Sequence, residues 1–160
     1  MSKDGYLHVS VGSRKIILDK SAQPFEIYEQ NPYSNLLVHN RIVIDIGAGV
    51  GDTAIIFSLN KAKRVYSFEP DINRYLAAKQ NLKLNGIKNV RIIRKRISSL
   101  DDINKYYKGS HMVLKSDCEG AEHTIFKNSS KEAIRRYDQM VLEFHDGYLD
   151  IKRILEREGF

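Results

Sequence analysis

Four side chains able to move a proton or accept a hydroxyl stand just beyond apolar runs of this 160-residue sequence: Glu69, Asp117, Glu119 and His145. Val65-Tyr66-Ser67-Phe68 precedes the first, Met112-Val113-Leu114-Lys115 the next two, and Met140-Val141-Leu142-Glu143-Phe144 the last. Histidine has an unperturbed pKa near neutrality, which makes His145 the first candidate for a general base. Asp117 and Glu119 come next; as a carboxylate pair they could also orient an acceptor or hold a metal. Lys115 could pair with either. The structural alternatives are Asp117 as the N-cap of the following helix and Glu119 as a favourable charge in its first turn. Cys118 lies in acidic surroundings that disfavour a thiolate, and it reads as small core filler.

A further apolar run, Val43-Ile44-Asp45-Ile46, leads into Gly47-Ala48-Gly49-Val50-Gly51-Asp52-Thr53 and then Ala54-Ile55-Ile56-Phe57. That order is strand, glycine turn, helix. Glycine serves where a backbone turns sharply or a ligand approaches the main chain, and a helix start presents its amides to that ligand. Glu69 ends the next strand, eighteen residues beyond Gly51. A carboxylate there can accept both hydroxyls of a ribose, so a nucleoside ligand is expected. The dinucleotide fingerprint needs its third glycine three residues after the second, where this chain has Asp52. An acid at the helix start also repels a pyrophosphate, and Asp45 adds a second negative group. The pattern favours S-adenosylmethionine, with its sulfonium and ammonium, over NAD.

The elements that must position these groups follow from periodicity. Alternation over residues 6–18 around Gly12-Ser13 predicts a β-hairpin. Residues 24–37, broken by Pro24 and Pro32, read as a short helix or irregular cover carrying Phe25, Ile27, Tyr28, Tyr33, Leu36 and Leu37. Asn31–Asn35 reads as a plain turn, with a ligand-side loop as the alternative. Core strands are expected at about Arg41–Ile46, Arg64–Phe68, Val90–Arg94, Met112–Lys115 and Gln139–Phe144. Between them come a helix over Asp52–Asn60, one capped by Asp71 and stopped at Asn85-Gly86, and a short helix or loop over Ser98–Tyr107. A helix carrying Ala121, Ile125 and Phe126 follows, then a helical piece through Tyr137. A last helix runs through Ile151, Ile154 and Leu155 to Gly159.

Five alternations of strand and helix predict an α/β chain. The expected fold is Rossmann-like and doubly wound: a mainly parallel sheet of five strands with helices on both faces, preceded by an N-terminal β-hairpin. The chain reads as a single domain, with hairpin and cover over 1–38 and the cofactor-binding core over 39–160. In such a sheet ligands bind beyond the carboxyl ends of the strands, where all the candidate groups fall.

Composition sets outer bounds. With 26 basic and 20 acidic residues the formal charge is +6, which permits an anionic partner such as RNA, and Arg91, Arg94, Lys95 and Arg96 cluster. No patch is interleaved with aromatics for base stacking, so a solvated basic surface is the favoured reading. No apolar run reaches membrane-spanning length, and the N-terminus lacks signal-peptide character. Cys118 is the single cysteine, which fits a cytoplasmic location. The five histidines are dispersed and no metal is expected.

Val43–Thr53 (VIDIGAGVGDT) followed by Val65–Asp71 (VYSFEPD) resembles the first two motifs of class I S-adenosylmethionine-dependent methyltransferases. Leu114–Phe126 (LKSDCEGAEHTIF) followed by Val141–His145 (VLEFH) is similar to the later motifs of the FkbM-type branch. The resemblance covers roughly residues 40–160. It implies that Gly47, Gly49 and Gly51 line the methionine part of the cofactor, that Glu69 takes the ribose, and that Arg96, Ile97 and Ser98 fall at the adenine. The full expected cofactor set is Asp45, Gly47, Ala48, Gly49, Gly51, Asp52, Thr53, Glu69, Pro70, Asp71, Arg96, Ile97, Ser98 and Asp117. FkbM-like enzymes are mostly O-methyltransferases of sugar and natural-product hydroxyls. An RNA methyltransferase and a non-catalytic cofactor-binding partner module are the competing readings. An Asn/Asp-Pro-Pro-aromatic motif, usual in amino-methylating nucleic-acid enzymes, does not follow Lys115. Family members usually continue into two further strands. Without them the fifth strand is expected to be an apolar edge: either the N-terminal segment or a partner chain, including a second copy, covers it, or the sequence is a fragment.

Overall fold

The computed structural model describes residues 5–11, 14–20, 22, 32–144 and 148–160. His145, the Gly12-Ser13 turn and the Pro24–Tyr28 cover lie outside the described residues. Strands β1 (Leu7–Val11) and β2 (Arg14–Leu18) pair antiparallel, with Leu7 opposite Leu18, as the alternation predicts. The five core strands are β3 (Ile42–Ile46), β4 (Arg64–Phe68), β5 (Val90–Ile93), β6 (Met112–Ser116) and β7 (Tyr137–Leu142). All are parallel, in the order β5-β4-β3-β6-β7. The strand order reverses between β3 and β6, which places the ligand crevice beyond those two ends. β7 is an edge of this sheet.

Helices α1 (Asp52–Leu59), α2 (Ile72–Leu84), α3 (Glu122–Lys127), α4 (Lys131–Ile134) and α5 (Tyr148–Arg157) join or follow the strands, and Leu100–Lys105 forms a 3-10 helix. Asp71 caps α2 as predicted, its Oδ1 accepting the Asn73 and Arg74 amides at 2.9 Å. Two expectations need correction. The helical piece after Ser130 does not reach Tyr137: α4 is a single turn, capped by Ser130 Oγ, and Tyr137 instead opens β7 opposite Met112. Correspondingly, β7 ends at Leu142, leaving Glu143 and Phe144 beyond the strand. Tyr137 is 4% exposed, and its apolar ring joins the core better from a strand than from a helix that has already ended.

Register decides which residues share a face. Val43, Asp45, Val65, Ser67, Val113 and Lys115 stand on one side of the sheet. There they meet Ala54 and Phe57 of α1 and Tyr33, Leu36 and Val38 of the N-terminal segment. Ile44, Ile46, Phe68, Met112 and Leu114 face the other way, onto Leu100, Ile103, Ile125, Phe126, Ile134 and Ile151. The hairpin lies outside α1 and α2, with Ile16 and Leu18 against Ile55 and Leu82. Two asparagines of α2 fasten it. Asn85 exchanges hydrogen bonds with both backbone groups of Ile17. Asn81, fully buried, accepts the Asp19 amide at 2.7 Å and donates to the Val50 carbonyl at 2.8 Å. One side chain thus holds hairpin and glycine turn together. Among the described residues, no helix is long and apolar enough to cross a membrane.

Candidate functional site

The three glycines of the turn all stand at positive φ, and packing distinguishes them. Gly47, at φ +79°, packs so tightly that a Cβ there would stand 1.7 Å from the Asp117 carbonyl oxygen. Gly51, at φ +83°, lies against Ala78 of α2, where a Cβ would come within 3.1 Å. A Cβ on Gly49 would meet only open space. That space is a cleft of about 650 Å³ over the carboxyl ends of β3, β4 and β6. It falls within the roughly 300–1,000 Å³ usual for small-molecule sites.

Of the expected cofactor set, Gly47, Ala48, Gly49, Asp52, Thr53, Glu69, Pro70, Asp71, Arg96, Ile97 and Asp117 line the cleft. Glu119 lines it too. Asp45, Gly51 and Ser98 do not. Asp45 is fully buried beneath the turn, accepting from Thr53 Oγ1 at 3.3 Å and lying 3.3 Å from Lys115 Nζ. Ser98 turns outward and donates through its amide and hydroxyl to Asp102, fixing the entry to the 3-10 helix. Lining groups that sequence reasoning missed are Arg74, Lys95, Cys118 and Glu143. Arg74 had a signal, since it sits in the first turn of a helix whose cap was legible. Glu143 had none while it was counted inside the strand.

Glu69 occupies the end of β4 at 3% exposure. Its Oε2 accepts the Gly49 amide at 2.9 Å and its Oε1 the Asp71 amide at 2.8 Å. Each carboxylate oxygen retains a second lone pair for a ligand hydroxyl.

A further part of the cleft wall is built by the turn after β6. Glu119 is held at φ +57° and Gly120 at φ +92°. A left-handed glutamate costs about 1–2 kcal/mol, and such strain concentrates at functional turns. Neither structural alternative for the two acids is found. The N-cap of α3 is Ala121, and Glu122, not Glu119, is the acid of its first turn. Glu122 instead reaches back to accept the Cys118 amide at 2.6 Å. Burial pushes the Cys118 thiol up to about 12, so it stays protonated; it is half-buried, packed against the core on one side and lining the cleft on the other, so core filler describes only part of its place.

Asp52 opens α1 at 8% exposure, and burial pushes its carboxyl up to about 6. The fold therefore prefers the acid to the carboxylate. The stability this adds is fully present below the unfolded carboxyl's value near 4 and is lost as pH rises through about 6. Asp52→Asn is accordingly expected to raise stability at pH 7.5 by on the order of 2 kcal/mol, and by much less at pH 4. Urea melts at the two pH values measure this; an equal effect at both would contradict it.

No family model matches the chain. An uncharacterized protein of Methanocaldococcus jannaschii, MJ1452, is 39% identical over 64 residues, which is 40% of this chain and 24% of that protein. A ribosomal protein L11 methyltransferase of Bacillus pumilus is 27% identical over 123 residues, 76% of this chain and 38% of that one. Among solved structures, an rRNA methylase from Streptococcus thermophilus superposes with a TM-score of 0.57 at 19% identity, covering 78% of this chain and 73% of that chain. The chain thus spans 38% or less of the curated relatives it matches. Its five parallel strands, its helices and the glycine turn at the strand-order reversal are those of the class I S-adenosylmethionine-dependent methyltransferase fold.

Proposed function

We propose that the chain binds S-adenosylmethionine and serves as an FkbM-type methyltransferase of a hydroxyl on a sugar or another small molecule. The observation that carries this reading is the pairing of an open Gly49 with the Glu69 carboxylate on one wall of the cleft. A nucleoside's ribose fits that wall, and the adjoining Asp52 suits a cationic amino-acid end better than a pyrophosphate. S-adenosylmethionine, when bound, supplies an electrophilic methyl group. The chain's part is to align a nucleophile and exclude water.

Asp117, Glu119 and Glu143 line the other end of the cleft. Their carboxylates are suited to orienting a neutral hydroxyl and to taking its proton. His145, two residues beyond Glu143, remains the first proposed base on chemical grounds.

An RNA acceptor is the second reading. The names of the ribosomal relatives and the cations Arg74 and Arg96 on the cleft wall favour it. Three carboxylates at the acceptor end oppose it, since they repel a phosphodiester. Lys95 is also engaged by Asp102 at 3.0 Å, and Arg91 lies over the Tyr106 ring. We assign self-association to the β7 edge, an outcome that sedimentation velocity reads.

Calorimetric titration with S-adenosylhomocysteine, and in parallel with NAD, tests the cofactor reading. Saturable binding of the first and none of the second is expected; the reverse would overturn it. A labelled-methyl screen over sugars and RNA then separates the two acceptor classes.

A further inference from the structure

Lys115 is the most deeply withdrawn cation among the described residues, at 1% exposure, and the sequence gives it no role beyond pairing with a neighbouring acid. An ammonium removed from water requires charged and hydrogen-bonding partners. A single buried carboxylate, Asp45 at 3.3 Å, would meet much of that need. The remaining contacts go elsewhere. Nζ donates to the Gly47 carbonyl at 2.7 Å, on the turn that follows β3. It stands 3.9 Å from Asp117 Oδ2, on the turn that follows β6. It also lies 5.5 Å from the centre of the Tyr33 ring, and the Tyr33 hydroxyl donates to that same Asp117 oxygen at 3.4 Å. Three chain segments with no helix or strand in common therefore converge on one charge, at the floor of the cleft that Lys115 helps to line.

We infer that Lys115 is a positioning residue that sets the glycine turn, the Asp117–Gly120 turn and the Tyr33 segment in a single mutual arrangement. Its place in the register makes this possible. Lys115 is directly opposite Asp45 on the neighbouring strand, one residue before β6 ends, so its side chain reaches past both strand ends. An ordinary core apolar residue at this position would fill the volume and leave the turns to be held by backbone alone. The Gly47 carbonyl would then lose a charge-assisted partner, and Asp117 would lose the cation nearest to it. The inference concerns the apo-protein, and it rests on the proposed cofactor only for its second readout.

The experiment compares Lys115→Met with the double variant Asp45→Asn/Lys115→Met, which keeps the core neutral if the single change does not fold. Amide hydrogen exchange of the ligand-free proteins is the first readout. Peptides over Gly47–Thr53 and Asp117–Ala121 should both exchange faster by about tenfold or more, while β4 stays protected. Titration with S-adenosylhomocysteine is the second, with affinity expected to fall about tenfold or more. In Lys115→Ala, a small alkylammonium should restore protection to both turns and an alcohol of equal size should not, because a charge and not a volume is missing. Unchanged exchange in either turn, or equal rescue by the alcohol, would overturn the inference. If wild type fails to bind S-adenosylhomocysteine while both turns still loosen together, the cofactor reading falls and the positioning role stands.

Discussion

Gly47→Ala is expected to be the most damaging single substitution in the chain, although it adds one methyl group. Two effects combine. The backbone at φ +79° is one an L side chain enters only at a cost of about 1–2 kcal/mol. The added Cβ would also fall 1.7 Å from the Asp117 carbonyl oxygen and 2.7 Å from its carbon, both backbone atoms that no rotamer change can move. The β6 end is anchored there, since the Asp117 amide donates to Ile46 at 3.1 Å. Relief must come from separating β3 from β6 beyond their ends, which opens the cleft from beneath. A loss of roughly 4 kcal/mol or more is expected, a large share of the 5–15 kcal/mol that holds a domain together. Chemical denaturation measures it. A variant that melts within about 1 kcal/mol of wild type would show that the two turns are not in the contact described.

Glu69→Ala should have the next largest effect, on ligand affinity more than on stability. The side chain serves two masters: in the free protein it accepts the Gly49 and Asp71 amides, and a bound ribose would use its remaining lone pairs. Two charge-assisted hydrogen bonds at about 1.5–3 kcal/mol each predict a fall in S-adenosylhomocysteine affinity of about 100-fold or more. Removing the carboxylate also strands the two amides, which lowers stability by about 1–3 kcal/mol. Glu69→Gln keeps one acceptor oxygen and should fall between. Calorimetric titration of the two variants orders them; wild-type affinity in Glu69→Ala would detach the carboxylate from the ribose.

Local chemistry was readable from the sequence wherever the signal and its partner lie close in the chain. The Asp71 cap, the Asn85-Gly86 stop and the bounds of β4 depend on residues within a turn or a strand of one another, and the structure agrees with each. Errors begin where a residue's fate is set from afar. Tyr137 looks helical beside its neighbours and becomes a strand residue because Met112 is there to pair with. Asp45 looks like a ligand group at a strand end, and the register with Lys115 turns it into the base of the turn. The glycines read as one motif with one purpose; only the packing of Asp117 and Ala78 divides Gly47 and Gly51 from Gly49. A single sequence carries periodicity and caps, but cross-strand register belongs to pairs of segments tens of residues apart.

Asn81 carries a consequence that reaches to the start of the chain. Its amide oxygen holds the segment after the hairpin and its amide nitrogen holds the glycine turn, so each contact orients the side chain for the other. Docking of the hairpin and occupancy of the cleft are then linked equilibria, and linkage is reciprocal. Any ligand that tightens the turn must protect β1 and β2 by the same free energy, and any cut or partner that draws the hairpin away must weaken that ligand by an equal factor.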